Sequence, residues 1–176
     1  MKTPTDCLAG LRMIALADVD NLAISSLRIH HNAIHPGALK YFLGRRSIKL
    51  SAAAILTTKA GFTHTTDEWS EEGWNVTSVI RETVKTIRGE ELLANADFDI
   101  AFEAGALVAS HPHADGIILC TGDGNLATAI ARDVKRRRPG MSVMAAAVPG
   151  SASSRLRDRT IFDGFIPLGR EVTRCA

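Results

Sequence analysis

"MIALADVDNLAISS", Met13 to Ser26, drives an unbroken apolar run straight into Asp18, Asp20 and Asn21. A run that is apolar throughout, instead of alternating, is the pattern of a strand covered on both faces, as in a parallel sheet. Others of the kind follow: "AAAIL" (52–56), "GIILC" (116–120) and "MSVMAAAV" (141–148), with "NVTSVI" (75–80) and "GFIPL" (164–168) as weaker strand candidates. Helical patterns lie between them, at Gly37 to Arg45, Asp97 to Ser110 and Leu126 to Arg138, the last ending at "RPG", where proline and glycine stop helices. Strand and helix alternate, so the chain is predicted to be an α/β domain with a mostly parallel sheet. The stretch from Thr57 to Asn75 reads as a partly helical connection, with Trp69 and Trp74 as packing residues.

The composition sets the frame around that reading. The 176 residues, 45% of them hydrophobic, suffice for a single core, and one domain over 1–176 is expected, with its core at about 10–168. Lys and Arg number 21 against 19 Asp and Glu, so any nucleic-acid affinity has to come from the distribution of charge and not from its total. Cys7, Cys120 and Cys175 are scattered and form no C-x-x-C pair, which suits a reduced, cytoplasmic protein. The opening residues lack the basic start, apolar centre and cleavage site of a signal peptide. No apolar run approaches the roughly 20 residues of a membrane span, so no membrane partner is expected.

In open α/β sheets the functional crevice lies outside the carboxyl ends of the strands, where the strand order reverses. Asp18 stands where the first strand ends, and "GIILC" runs into "TGDGN", which brings Thr121, Asp123 and Asn125 to the same edge. The helix that starts at "NADFDIAFEAGAL" is the third contributor. Phe98, Ala101, Phe102 and Gly105 are expected to pack inward, with Asp99 and Glu103 sharing a neighbouring face at i and i+4. Asp97 and Asp99 also fall in the first turn, where the helix dipole favours anions, and Asp97 alone reads equally well as an N-cap. Carboxylates gathered in one pocket repel one another unless a cation neutralises them. An oxygen-only set suits Mg²⁺ or Mn²⁺, which can activate a water against a phosphodiester. No G-x-G-x-x-G follows the first strand, and no G-x-x-x-x-G-K-[ST] occurs.

Taken in order, four motifs resemble the NYN branch of the PIN-like ribonucleases, including its LabA-like members. They are the strand followed by Asp18, Asn21 and Leu22; "FDIAF" with Asp99; "ILCTGDGN"; and "SSRLRDRTIFDGF". The resemblance covers about residues 10–168 and implies a PIN-like, Rossmannoid three-layer α/β fold. It also implies a metal-dependent ribonuclease with Asp18, Asp99 and Asp123 as catalytic, metal-binding carboxylates. Asn21 would steady the first loop or the RNA, and Thr121 keeps the hydroxyl of the family's serine. Asn125 stands where the family has a second aspartate, removing one negative charge. Glu103 is the candidate to compensate, and Asn125 and Asp97 complete the candidate metal site.

Basic residues cluster in "GRRSIK" (44–49), "KRRR" (135–138) and "SRLRDR" (154–159). "KRRR" reads as a solvated helix end that complements the dipole. Arg45, Arg46, Lys49 and Arg155, with Asp20, Asn21 and Thr121, are the substrate-binding candidates, since such cations hold phosphate backbones. His30, His31 and His35 have no acidic partner nearby and read as surface or loop residues rather than a zinc site. His111 and His113 read as solvated. Ser26, Ser51 and Cys120 show no nucleophile arrangement, and Ser151 to Ser154 read as capping and turn residues.

Three functions compete on these grounds: a metal-dependent ribonuclease, a non-catalytic RNA- or partner-binding module, and a haloacid-dehalogenase-like phosphatase. In the last, Asp18 would be phosphorylated and Asp20 would act as the acid. "FDGFIPL" is a candidate homodimer face.

Overall fold

The computed structural model describes residues 6–58, 64–80, 82–86, 89–93 and 96–173. Its elements in order are β1 (Arg12–Asp18), α1 (Val19–His30), α2 (Pro36–Gly44), β2 (Lys49–Thr58), α3 (His64–Glu71), β3 (Asn75–Ile80), β4 (Glu82–Thr86), β5 (Gly89–Leu93), α4 (Asp97–Ser110), β6 (Gly116–Cys120), α5 (Gly124–Arg137), β7 (Ser142–Ala147) and β8 (Gly164–Pro167). A short 3₁₀ turn spans Ser154–Arg157.

Six strands pair in parallel in the order β3-β2-β1-β6-β7-β8. The α/β class with a parallel central sheet is therefore as the apolar runs predict. Alternate side chains of each inner strand serve opposite faces. Met13, Ala15 and Ala17 join Leu22, Leu39, Phe42, Leu43 and Trp69 in one core, while Ile14 and Leu16 join Ile100, Ala104, Leu107, Leu126 and Ile130 in the other. The result is a three-layer, Rossmann-like sandwich with α1, α2 and α3 on one face and α4 and α5 on the other. Both faces of β1 and β6 are covered, which is why their sequences do not alternate.

Trp69 and Trp74 are buried with ring centroids 4.9 Å apart, edge to face, and the Trp74 indole donates to the Pro36 carbonyl. They are packing residues, as expected. Cys120 is a buried strand residue whose thiol is pushed up to about 12 by burial, and Cys175 lies outside the described residues. Among the described residues no helix is long and apolar enough to cross a membrane.

The α4 face differs from expectation. Phe98 and Phe102 are 71% and 79% exposed, Ala101 is exposed too and Gly105 half-buried, whereas Ile100, Ala104, Leu107 and Val108 are buried. The helix turns its small and aliphatic stripe, spaced 4, 3 and 1, to the sheet and leaves the aromatics outside. Two further elements lie outside the sequence reading: α1, and the antiparallel β4-β5 ribbon, which forms its own two-stranded sheet.

Candidate functional site

Numbered along the parallel sheet alone, the strand order is 3-2-1-4-5-6, and it reverses between β1 and β6. Connections from those two strands leave toward opposite faces, opening a crevice at their carboxyl ends. Asp18 ends β1 and caps α1, its Oδ1 accepting from the Asn21 amide at 3.2 Å. Thr121 follows β6. Its buried hydroxyl donates to Asp18 Oδ2 at 2.8 Å and accepts from the Asp123 amide at 3.1 Å. One hydroxyl thus ties the two strand ends together. Asn21 adds a second tie, its Oδ1 accepting from the Gly122 amide at 2.6 Å. Asp20 Oδ2 accepts from the Thr57 amide at 2.9 Å and joins the start of α1 to the end of β2.

Asp123 caps α5, with Oδ1 accepting from the amides of Asn125 and Leu126 at 2.7 and 3.1 Å. Its other oxygen takes no hydrogen bond from any described residue. The next segment closes on this turn from above. The Ser153 amide donates to the Gly122 carbonyl at 3.0 Å, and Arg155 Nη1 donates to Asn125 Oδ1 at 2.6 Å. Both glycines of "GDG" are needed for that approach. A Cβ at Gly122 would lie 2.8 Å from Asn21 Oδ1, and one at Gly124 would lie 2.7 Å from Ser153 Cβ.

Electrostatics single out Asp18. Its carboxyl is pushed up to about 6, first by burial and further by the negative charges of Asp20 and Asp97, against the lowering hydrogen bonds from Thr121 and Asn21. The α4 carboxylate that acts on Asp18 is Asp97. Asp97 precedes the buried Ile100 by three residues and Ala104 by seven, so it shares the helical phase of the stripe turned to the sheet, while Asp99 lies well round the helix; both residues are exposed. Asp97 is the first helical residue, and the N-cap expected of it is Ala96, with no side-chain cap bond. Glu103 stands six residues along the helix from Asp97, about 9 Å at the helical rise.

Asp18, Asp99 and Asp123 therefore do not assemble into the expected cage. Among the described residues no three His, Cys, Asp or Glu side chains group closely enough to hold a metal ion. The donor set fits a looser arrangement, because Mg²⁺ commonly binds through one or two carboxylates and keeps several waters. Asp18, crowded by the charges of Asp20 and Asp97, is the carboxylate such an ion would relieve.

Three of the substrate candidates lie elsewhere. Lys49 opens β2 opposite Arg12, the first residue of β1, so it sits at the amino edge of the sheet. Arg46 pairs with Asp6 at 3.5 Å, and Arg45 lies 4.8 Å over the Phe42 ring. The physical reason is the crossover itself: helices carry the chain from the carboxyl end of one parallel strand back to the amino end of the next, and "GRRSIK" is that return. The "KRRR" run and the histidines other than His113 are engaged within the fold. Arg136 and Arg137 pair with Asp133, Lys135 pairs with Asp163, and Arg138 donates to the carbonyls of Val108, His111, Pro112 and Ala114. His35 caps α2 through Nδ1, His30 meets the Leu168 carbonyl, and His31 ends α1 at φ 57°. His111 bonds the Leu107 carbonyl rather than solvent alone, and His113 is exposed.

The reading of the sequence missed Gly122 and Gly124, whereas Ser153 caps the 3₁₀ turn, as the capping reading of Ser151 to Ser154 expects. The G-x-G spacing around Asp123 was the available signal for a close backbone approach. No family model matches the sequence, and no curated protein matches it. A solved structure of a protein of unknown function from Vibrio parahaemolyticus is similar along its whole length, covering 99% of this chain at 17% identity with a TM-score of 0.73. At that identity the likeness bears on the fold alone.

Proposed function

We propose that the protein is a metal-dependent ribonuclease working at the crevice between β1 and β6. The observation that carries this is the position of Asp18: a carboxyl at the reversal of strand order, raised by burial and by two neighbouring acids. RNA as the substrate comes from the NYN-like order of motifs.

In this reading Asp18 would hold a hydrated Mg²⁺ or Mn²⁺ together with one further carboxylate, Asp97 or Asp123, water filling the remaining positions. Such an ion supplies Lewis acidity and lowers the pKa of a water that attacks the phosphodiester. Thr121 keeps Asp18 oriented, and Asn21 holds the turn after β6 against α1. Asn125 fixes Arg155 where a phosphate oxygen would sit. An ionised Asp18 is the competent form, and a nearby cation favours ionisation by opposing the repulsion from Asp20 and Asp97.

The test incubates labelled single-stranded RNA with the protein and Mn²⁺ or Mg²⁺, beside Asp18→Asn and Asp123→Asn. Cleavage by the parent that chelator abolishes, and that falls at least 100-fold in Asp18→Asn, is the expected result (on the order of the losses seen for transition-state charge stabilisers). Salt-sensitive binding with no cleavage under any metal would replace it with the non-catalytic module. Trapping of a phospho-Asp18 by an acyl-phosphate mimic would replace it with the phosphatase.

A further inference from the structure

The chain uses its arginines in two ways. Arg12, Arg46, Arg136 and Arg137 pair with carboxylates, so their charge is answered locally. Arg155, Arg157 and Arg159 are exposed and occur at every second position, and each is held by a neutral group. Arg155 bonds the Asn125 amide oxygen at 2.6 Å, Arg157 lies 4.5 Å over the Phe165 ring, and Arg159 donates to the Asp163 carbonyl at 2.7 Å. Among the described residues none of the three makes an ion pair. Nearby acids are engaged otherwise: Asp158 accepts from the amide and hydroxyl of Thr160, and Asp163 takes Lys135. The guanidinium groups are thus ordered yet not neutralised, which is how a surface is arranged for an external anion.

The strip starts at the crevice and leads away from it. Arg155 is anchored to the first turn of α5, and the strip ends beside the edge strand β8. There Arg157, Arg159, Phe162, Phe165 and Pro167 line a pocket of about 450 Å³, within the range of roughly 300–1,000 Å³ usual for small-ligand sites. A guanidinium lying over a phenyl ring presents a flat cationic plane, and unpaired bases stack on such planes as they do on aromatic rings.

We infer that Arg155, Arg157 and Arg159 form an exit track for single-stranded RNA, and that the pocket beside β8 seats an unpaired base on the Arg157–Phe165 stack. The choice of RNA rests on the proposed function; the track itself does not require cleavage. An acidic peptide would answer the charges alone, whereas a single strand answers both the spaced cations and the stacking plane.

The experiment measures anisotropy of a labelled oligouridylate of about 12 nucleotides in excess chelator, across a salt series. Arg157→Ala is expected to weaken binding about tenfold and to lessen the slope of log affinity against log salt by about 0.7, the value for one lost single-strand phosphate contact. Phe165→Leu is expected to weaken it about fivefold with the slope unchanged, and Phe165→Tyr to bind as the parent does. Arg137→Ala, which removes the same charge from the end of α5, should match the parent. The inference falls if Arg157→Ala behaves as Arg137→Ala does, if duplex RNA binds equally well, or if polyglutamate binds at the strip and RNA does not. Strip-dependent binding without cleavage in Mn²⁺ would remove the nuclease and leave the track, and cleavage with an unaltered KM in the strip variants would do the reverse.

Discussion

Thr121 Oγ1 donates to Asp18 Oδ2 over 2.8 Å, joining the ends of two strands that are 103 residues apart in sequence. Of the groups that hold the Asp18 carboxyl down, this hydroxyl has the largest effect. Thr121→Val is therefore expected to raise the Asp18 titration midpoint above about 6 and to cost about 1–3 kcal/mol of stability, while Thr121→Ser restores both. Carboxyl-carbon NMR and thermal melts are the measurements.

The sign of the pH dependence follows from the raised carboxyl. Between its ordinary value of 3.8 and about 6 the folded chain binds the Asp18 proton more tightly than the unfolded chain does. Stability then falls as pH rises through that window, and the whole penalty, on the order of 3 kcal/mol, is present above it. Asp18→Asn is expected to be as stable as the parent near pH 4 and more stable at pH 7.5, although it is inactive in the proposed reaction. Denaturant melts at the two pH values check this; a parent more stable than Asp18→Asn at pH 7.5 would contradict it.

Asp97 and Asp99 differ by two positions and by the side of the helix they occupy. Asp97→Asn should lower the Asp18 midpoint, because one of the charges raising it is gone, and should reduce metal-dependent cleavage about tenfold or more. Asp99→Asn should leave both near the parent values. Equal effects from the two would mean that the helical phase at the start of α4 does not govern the site.

Charge removal at the two edges of the sheet separates the basic clusters. The triple change of Arg45, Arg46 and Lys49 to Ala should leave RNA affinity within about twofold, since those groups lie at the amino edge. Arg155→Ala alone should weaken RNA binding about fivefold or more and lessen its salt dependence. Filter-binding titrations at two salt concentrations distinguish the outcomes.

Much of the frame was legible because strands buried on both faces write themselves as unbroken apolar runs. "GIILC" and "NVTSVI" match β6 and β3 residue for residue. The crevice was legible as well, since polar residues that directly follow such runs mark strand ends. Helix α1 was obscured by Ser25 and Ser26, which look solvent-facing but are buried and satisfied by Ser151 and the Asn32 carbonyl. The phase of α4 misled because bulky aromatics suggested an inward face, while a sheet packed closely against a helix favours Ile100, Ala104 and Val108. The β4-β5 ribbon carries no apolar alternation to announce it. The place of Arg45 to Lys49 depends on which end of a strand a connection reaches, and composition says nothing of that.

β1 and β6 are the two central strands of the sheet, each hydrogen-bonded on both sides. The amides beneath Asp18 and Thr121 are then protected by ladders that break only when the whole sheet does, and they should exchange with deuterium among the slowest in the chain. Such a floor resists reshaping. Changes in what the crevice accepts would come from the segments that arch over it, Ser151 to Arg159 above all, which can vary without disturbing the ground the carboxylates stand on.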